Sequence, residues 1–234
     1  MCEDERLAWV KCTKINGEAI RIKEQVAAEH GLTIFINDKP FATAMITPAL
    51  KKEFVVGHLF GQRLIRQASD ISSLVIDGDT ARVELKTVKT TGKGLPQIRS
   101  DFKVSHEDIF EGVSAILKSP IFTETQAVHS AGLFKRGAEP VCLTEDIGRH
   151  NALDKVVGYG LLHDVEFANT FVTSTGRQPS EMVIRCANAN IPVIATKGVS
   201  TTRAVMIARS IGFTIAGAVR SGGMIIYSHP ERVI

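Results

Sequence analysis

The stretch Thr144-Glu145-Asp146-Ile147-Gly148-Arg149-His150-Asn151-Ala152-Leu153-Asp154-Lys155 decides how the chain is interpreted. An apolar run over 140–143 precedes it, typical of the end of a buried strand, and apolar residues recur at helical spacing behind it. The free N–H groups of a helix start favour an anion, and an Arg and a His strengthen that preference. Asp146 or Asn151 could simply cap the helix, but a cap explains only one or two of these residues. The density of different side chains indicates a functional site.

Composition and charge exclude several classes of protein. The chain has 234 residues, 44% hydrophobic and 23% charged, which is ordinary for a globular protein. A net charge of +3 is too weak on its own to argue for nucleic acid, and no apolar run approaches the roughly 18–20 residues that span a bilayer. The N-terminus is acidic and has no apolar h-region, so we expect no signal peptide. The four cysteines, Cys2, Cys12, Cys142 and Cys186, form no zinc or disulfide spacing, so a cytoplasmic protein without zinc is expected.

Residues 1–86 predict a small α+β unit of ββαββ type. Strands over 32–36 and 41–46 flank a turn at 37–40, and a second hairpin joins 73–76 to 81–85. Thr47-Pro48 is a helix start signal, and the helix is expected to end near Arg66. Residues 1–30 are charged and weakly patterned, with Trp9 and Val10 expected at an edge.

Residues 87–104 predict a basic, solvated linker, since Lys and Arg stand among Thr, Gly and Pro with few apolar anchors. Residues 105–234 predict a second domain in which strands alternate with helices of about a dozen residues, after a hairpin around 135–137. That alternation is typical of α/β units and a mainly parallel sheet.

Basic residues recur where these strands end. Arg149, Arg177, Lys197 and Arg220 each follow a strand, and such loops share one edge of an open α/β sheet. Glycines at 148, 176, 198, 222 and 223 let backbone N–H groups approach a ligand. The sequence therefore predicts a crevice for several phosphates, as in a nucleotide or a pyrophosphate-bearing cofactor.

Other candidate residues carry competing interpretations. For His150 the neighbouring residues favour a functional role over a purely structural one, whereas for His129 the two roles are equally expected. Glu181 is interpreted as a first-turn acid on its helix. Cys142 and Cys186 lie on apolar patterns and are expected to be buried and inert.

The chain resembles the formate dehydrogenase accessory protein family, FdhD/NarQ. The signature over 145–158 carries the resemblance, with Thr175-Gly176-Arg177, Ser180-Glu181-Met182-Val183, Ser200-Thr201-Thr202-Arg203-Ala204-Val205 and the blocks at 217–220 and 226–232. It spans about residues 30–234 in order. The resemblance implies a small N-terminal α+β unit and a C-terminal three-layer domain similar to the cytidine deaminase fold. It also implies a cytoplasmic, homodimeric protein.

The resemblance further implies a role as sulfur carrier or sulfurtransferase. Family members take sulfur from a cysteine desulfurase and pass it to the bis(molybdopterin guanine dinucleotide) cofactor of the formate dehydrogenase catalytic subunit. The expected cofactor-binding residues are Ala218, Val219, Arg220, Ser221, Gly222 and Gly223, with Arg149, His150, Asn151 and Arg177. The family's Thr-Gly-x-x-His block corresponds to Thr125–His129, with Gln126 where a Gly is usual, which adds His129.

The chain departs from the family at the sulfur relay. The family uses a Cys-x-x-Cys in the loop before the C-terminal domain, whereas residues 91–103 contain no cysteine here. A persulfide needs a reachable thiolate, and no hydroxyl replaces it. Catalytic residues are therefore unassigned; Cys2 and Cys12 are the remaining reachable candidates.

Four hypotheses follow. The leading one is an accessory protein that binds the molybdenum cofactor, and the second is a catalytically silent cofactor or nucleotide chaperone without sulfur transfer. The third hypothesis is a zinc deaminase, but this sequence lacks the His-x-Glu and Pro-Cys-x-x-Cys motifs that hold the zinc and its water. The fourth hypothesis, a nucleic-acid-binding protein, is supported only by the basic linker and the mild positive charge. We expect neither nucleic acid nor membrane as a partner.

Overall fold

A computed structural model describes residues 5–86 and 94–234. It begins with a two-stranded antiparallel ribbon, β1 (Leu7–Asn16) and β2 (Glu18–Ala27), with a turn at Gly17, whose φ is 77°. Nearly every residue of β1 is exposed. A strand with both faces in water shows no burial pattern, which is why the sequence did not predict the ribbon.

A four-stranded sheet follows in the order β4-β3-β6-β5. Its strands are β3 (His30–Ile36), β4 (Lys39–Ile46), β5 (Ile71–Asp77) and β6 (Thr80–Leu85), and helix α1 (Lys51–Gly61) lies between the two hairpins in sequence. Both predicted hairpins are confirmed, and β3 runs parallel to β6. Asn37 and Asp38 adopt the positive φ that a tight hairpin turn requires.

The predicted start and end of α1 are wrong. The helix begins at Lys51 after Leu50, which has φ 54°, and it ends at Gly61 rather than near Arg66. Thr47 does not cap it. Thr47 is fully buried and bonds instead to the loop after residue 145, about a hundred positions later in the chain. A tertiary contact has overridden a local capping signal.

The expectation of a solvated linker is wrong for its described part, and residues 87–93 lie outside the described residues. Phe102 and Val104 are buried against the C-terminal domain, and the backbone of Arg99 exchanges hydrogen bonds with the side chain of Asn190. Val104 also bridges to Val233. These apolar side chains and the backbone bonds hold a stretch whose composition suggested solvent exposure.

The C-terminal domain has a six-stranded sheet in the order β12-β11-β10-β9-β7-β8. The strands are β7 (His129–Phe134), β8 (Pro140–Asp146), β9 (Phe171–Ser174), β10 (Val193–Thr196), β11 (Thr214–Arg220) and β12 (Gly223–Ser228). The α/β class is confirmed, but the sheet is mixed: only β9, β10 and β11 are parallel neighbours. The hairpins β7–β8 and β11–β12 make the outer pairs antiparallel.

Helices cover both faces of this sheet. They are α2 (His106–Leu117), α3 (Pro120–Thr125), α4 (Arg149–Leu162), α5 (Ser180–Asn188) and α6 (Thr202–Ile211). Helix α2 packs on one face with Phe134 and Phe171, while α4, α5 and α6 share a core on the other. That second core is continuous with the interior of the N-terminal unit, because α1 lies on α4.

Helices α1 and α4 touch backbone to backbone. A Cβ on Gly57 would lie 1.8 Å from the carbonyl oxygen of Asp154, and one on Gly158 would lie 1.8 Å from that of Glu53. No other residue type fits either position without moving a helix. The two halves of the chain are therefore joined at close range.

Among the described residues, we find no helix of the length and apolarity that a membrane span requires.

Candidate functional site

The strands of the large sheet bring the predicted basic loops to one edge. Strands β8, β9, β10 and β11 all run in one direction, so the loops that follow residues 146, 174, 196 and 220 share an edge. Strand β7 is antiparallel to β9 and begins at that same edge, with Ala131 opposite Ser174. The loops that carry Arg149, Arg177 and Arg220 therefore lie at the same edge as His129, the first residue of β7. We call this edge the crevice, the name of the site that the sequence predicts there.

Successive loops of the crevice lie directly against one another. A Cβ on Gly176 would stand 2.8 Å from the Cβ of Arg149, and a Cβ on Gly198 would stand 2.8 Å from the carbonyl oxygen of Gly176. The N–H of Ala218 donates to the carbonyl of Gly198 over 2.6 Å. Glycine is required at 176 and 198 because the neighbouring loop leaves no room for a side chain.

His129 lies close enough to two arginines of the crevice, Arg149 and Arg177, to feel their charge. Its Nδ1 is 3.2 Å from the Thr175 hydroxyl. Burial lowers the pKa of His129, and the positive charges of Arg149 and Arg177 lower it further. The lowered pKa favours the neutral ring, in which one nitrogen donates and the other accepts, and Nδ1 already faces the Thr175 hydroxyl.

Arg149 and His150 place buried donor groups at the start of α4. Arg149 Nε and His150 Nε2 are inaccessible to solvent and have no hydrogen-bond partner in the described structure. His150 Nε2 is 3.4 Å from the carboxylate of Glu181, close enough for an ion pair if the ring is protonated. Burial, then Arg149 and Arg185, lower the pKa of His150, so the neutral ring is favoured. Buried polar atoms without partners are uncommon and mark a place for an additional acceptor.

Arg220 and the turn after it form the far end of the crevice. Its Nη1 donates to the carbonyl oxygens of Lys197, over 2.5 Å, and of Val219, over 2.8 Å. Ala218 has φ 50° and its N–H is already bonded to Gly198, and the Val219 side chain is buried. Ser221 and Gly222 are exposed and Gly223 is half-buried. The exposed part of the predicted segment is therefore 220–222.

The acidic residues of the signature are structural rather than exposed to a ligand. Asp146 is fully buried and its carboxylate lies 2.7 Å from Lys155 Nζ, which is also fully buried. The same carboxylate accepts from the backbone N–H groups of Thr47 and Gly148 and from the Asn151 amide. Lys155 also donates to the Thr47 and Glu145 carbonyls. This network fixes the loop that carries Arg149.

Asn151 and Asp154 hold the two halves of the chain together. The Asn151 amide also donates to the carbonyl of Met45, 2.8 Å away. Asp154 is 1% exposed and binds Arg185 on α5 over 2.5 Å and His58 on α1 over 3.1 Å. Binding of a ligand by Asn151 stays a prediction, since its amide nitrogen already serves these internal bonds.

Sequence reasoning missed Thr47, His58 and Arg185 as supports of this site. Each lies far along the chain from the side chain it contacts, and no local pattern connects them. The one available signal was the number of charged residues in a helix that is otherwise apolar. A buried Asp or Lys on such a helix requires a charged or polar partner from elsewhere.

The prediction of a buried cysteine is confirmed for Cys186, whereas Cys142 is only partly buried and Cys2 lies outside the described residues. Cys186 is fully buried, and burial raises the pKa of its thiol well above the usual range. Burial likewise raises the pKa of Cys142 to about 12. Cys12 is exposed on the ribbon. In the described residues no three His, Cys, Asp or Glu side chains are grouped so as to hold a metal ion.

Comparison with known proteins gives concordant matches. A model of the FdhD/NarQ family matches residues 27–97 and 86–234. The sulfur carrier protein FdhD of Geobacillus kaustophilus is 32% identical over 257 residues, covering 94% of each chain. That of Staphylococcus aureus is 30% identical over 247 residues, covering 94% of this chain and 93% of the other. A crystal structure from Desulfotalea psychrophila, described as a formate dehydrogenase accessory protein, matches with a TM-score of 0.86 at 29% identity, covering 97% of this chain and 99% of that one.

Proposed function

The chain belongs to the FdhD/NarQ family, and we propose that it is an accessory protein of formate dehydrogenase maturation that binds the molybdenum cofactor as its cargo. The cargo is the bis(molybdopterin guanine dinucleotide) form, held at the crevice. One observation carries the proposal: basic and glycine-bearing loops from separate segments meet at one sheet edge.

The donors at the crevice suit a pyrophosphate. Arg149 Nε and His150 Nε2 are buried without hydrogen-bond partners, and phosphate oxygens are strong acceptors for such groups. Arg177 is exposed and, like Arg149, acts electrostatically on His129, so it supplies a second guanidinium at this edge. A neutral His129 can donate to phosphate or accept from a guanine amine. The crevice thus fits the anionic and the base portions of such a cargo.

Transport of sulfur is a separate step that this chain is poorly equipped to perform. A relay needs a thiolate that attacks the outer sulfur of a donor persulfide, forming a new S–S bond while the donor thiolate leaves. The loop before residue 105 has no cysteine in the sequence, and burial disfavours the thiolates of Cys142 and Cys186. These observations favour a second candidate, a cofactor chaperone that does not carry sulfur.

The partners follow from the same proposal. A sulfur carrier would contact a cysteine desulfurase and the formate dehydrogenase catalytic subunit, whereas a chaperone would need only the latter. A homodimer and a cytoplasmic location stay predictions.

Cofactor binding is tested by titrating guanosine diphosphate and inorganic pyrophosphate into folded protein by calorimetry. Arg149→Ala and Arg220→Ala should each weaken affinity by about tenfold or more, since a charge-assisted hydrogen bond contributes roughly 1.5–3 kcal/mol. Arg82→Ala, an exposed arginine on the four-stranded sheet, is the matched control. Unchanged affinity in both crevice variants would reject the assignment.

Sulfur transfer is tested by a cyanolysable-sulfur assay after incubation with a cysteine desulfurase and cysteine. The chaperone candidate predicts no sulfur on any cysteine, while nucleotide binding is retained. Labelling of Cys12 that disappears in Cys12→Ser would instead establish a relay through the ribbon.

A further inference from the structure

The exposed ribbon carries a face that nothing in the proposed function uses. In the register of the hairpin, Lys11 stands directly opposite Lys23, and Thr13 stands opposite Arg21. Paired residues project to the same face, so three cations lie together there. All three are exposed, and none has a carboxylate partner in residues 5–86 and 94–234. We call this the basic face of the ribbon.

The two faces of the ribbon differ in charge. The basic face has no acidic residue, while the opposite face holds Glu18 and Glu24 together with Lys14. Like charges directly across a ladder destabilise a hairpin. The Lys11–Lys23 pair therefore weakens the ribbon that carries it, and stability of the hairpin does not account for it.

Apolar side chains flank the cations on the same face. Trp9 is 63% exposed on one side of them, and Ile15 is 79% exposed near the turn. Lys11, Thr13, Arg21 and Lys23 are among the residues that line a concavity of about 470 Å³. Tryptophan and arginine beside a concavity are the commonest anchors of protein interfaces.

The ribbon is fixed at its base and free beyond it. The backbone of Ala28 bonds to that of Arg6, and the Arg6 guanidinium lies 3.8 Å from the buried Glu145 carboxylate. Outside this base, a two-stranded ribbon is marginally stable in water unless another surface covers it. The base thus orients a ribbon whose outer part is exposed on nearly every residue of β1.

We propose that the basic face of the ribbon is a docking surface for an acidic, extended segment of another protein. Carboxylates of the segment would lie between the paired lysines and relieve their repulsion, and its apolar side chains would cover Trp9. A second copy of this chain fits less well, because each copy carries a net charge of +3. Nucleic acid also fits less well, because this face offers only three cations and the other face holds Glu18 and Glu24.

Trp9 is the sole tryptophan of the chain, so its fluorescence reports directly on this face. The full-length protein is titrated with a short synthetic peptide alternating Glu and Val, and with the matched Gln–Val peptide. The acidic peptide should shift the emission to shorter wavelength in a saturable, salt-sensitive way, and the neutral peptide should not.

Charge reversal provides the decisive comparison. The combined variant Lys11→Glu, Arg21→Glu, Lys23→Glu should lose about tenfold or more in affinity for the acidic peptide, while Lys14→Glu on the opposite face stays within about twofold. The corresponding triple Gln variant removes the positive charges without adding negative ones, and we expect it to lose affinity as well. It replaces the triple Glu variant in the comparison if circular dichroism shows that the triple Glu variant is misfolded.

Four outcomes overturn the proposal. They are equal affinity of the wild type and the triple Gln variant, equal binding of the neutral peptide, tighter binding of a single-stranded oligonucleotide than of the acidic peptide, and loss of self-association in the triple variant without peptide binding. The last would assign the face to contact between copies of the chain.

Discussion

Substituting Asp146 by Asn isolates the contribution of the buried ion pair beneath the crevice. The change keeps the shape of the side chain and removes its charge. Lys155 then remains fully buried, with its ammonium facing an amide in place of a carboxylate 2.7 Å away. The Asn nitrogen also meets the N–H groups of Thr47 or Gly148, which require an acceptor.

The expected loss of stability is large. Removing one partner of a buried ion pair costs about 3–5 kcal/mol, because the remaining charge has no compensation. Glu139→Gln is the matched control, since Glu139 pairs with Lys135 at 3.9 Å on the surface with both side chains more than half exposed. An exposed pair of this kind contributes at most about 1 kcal/mol.

Urea unfolding followed by far-ultraviolet circular dichroism measures the difference. Adding Lys155→Met to Asp146→Asn should recover part of the loss, because no uncompensated charge then remains in the core. A loss below about 1 kcal/mol in Asp146→Asn would refute the reasoning that this network fixes the crevice loop to the N-terminal unit.

Three further predictions concern protonation, packing and thiol chemistry. Burial and two arginines lower the pKa of His129, and the negative charge of a bound pyrophosphate should raise it again. Binding should therefore take up protons, and affinity should rise as the pH falls. Binding heats that do not vary with the ionisation enthalpy of the buffer would contradict this. Gly57→Ala should lower stability by at least about 1–3 kcal/mol through the clash between α1 and α4, whereas Gly94→Ala, with nothing within 4 Å, should leave urea unfolding nearly unchanged. Cys12 should be alkylated much faster than Cys142, whose pKa burial raises to about 12, and equal rates in peptide mapping would exclude this difference.

Local patterns predicted the parts of the fold that depend on neighbours in sequence. The alternation around Asp77-Gly78 gave the second hairpin correctly, and the basic loops after successive strands gave the crevice edge. Both rest on short-range geometry, since a turn fixes a hairpin and strand direction fixes the edge where loops meet.

Features that depend on distant contacts were not predictable in this way. Thr47 has the sequence of a helix cap, yet its backbone serves the Asp146–Lys155 pair. Asp146 could be interpreted from the sequence as a helix cap, and its four hydrogen-bonded neighbours are visible only in three dimensions. Phe102 lies in a stretch of basic composition, and packing in a hydrophobic cluster with residues of the C-terminal domain buries it. Tertiary packing decided each case.

The glycine crossing of α1 and α4 determines how the molecule comes apart. The backbones of Gly57 and Gly158 meet there, and one hydrophobic core contains residues of both halves of the chain. Removing either half would therefore expose the core residues of the other. Denaturant should therefore unfold the whole chain in a single cooperative transition. A fragment that begins at α2 should expose a large hydrophobic surface and should not fold as an independent domain.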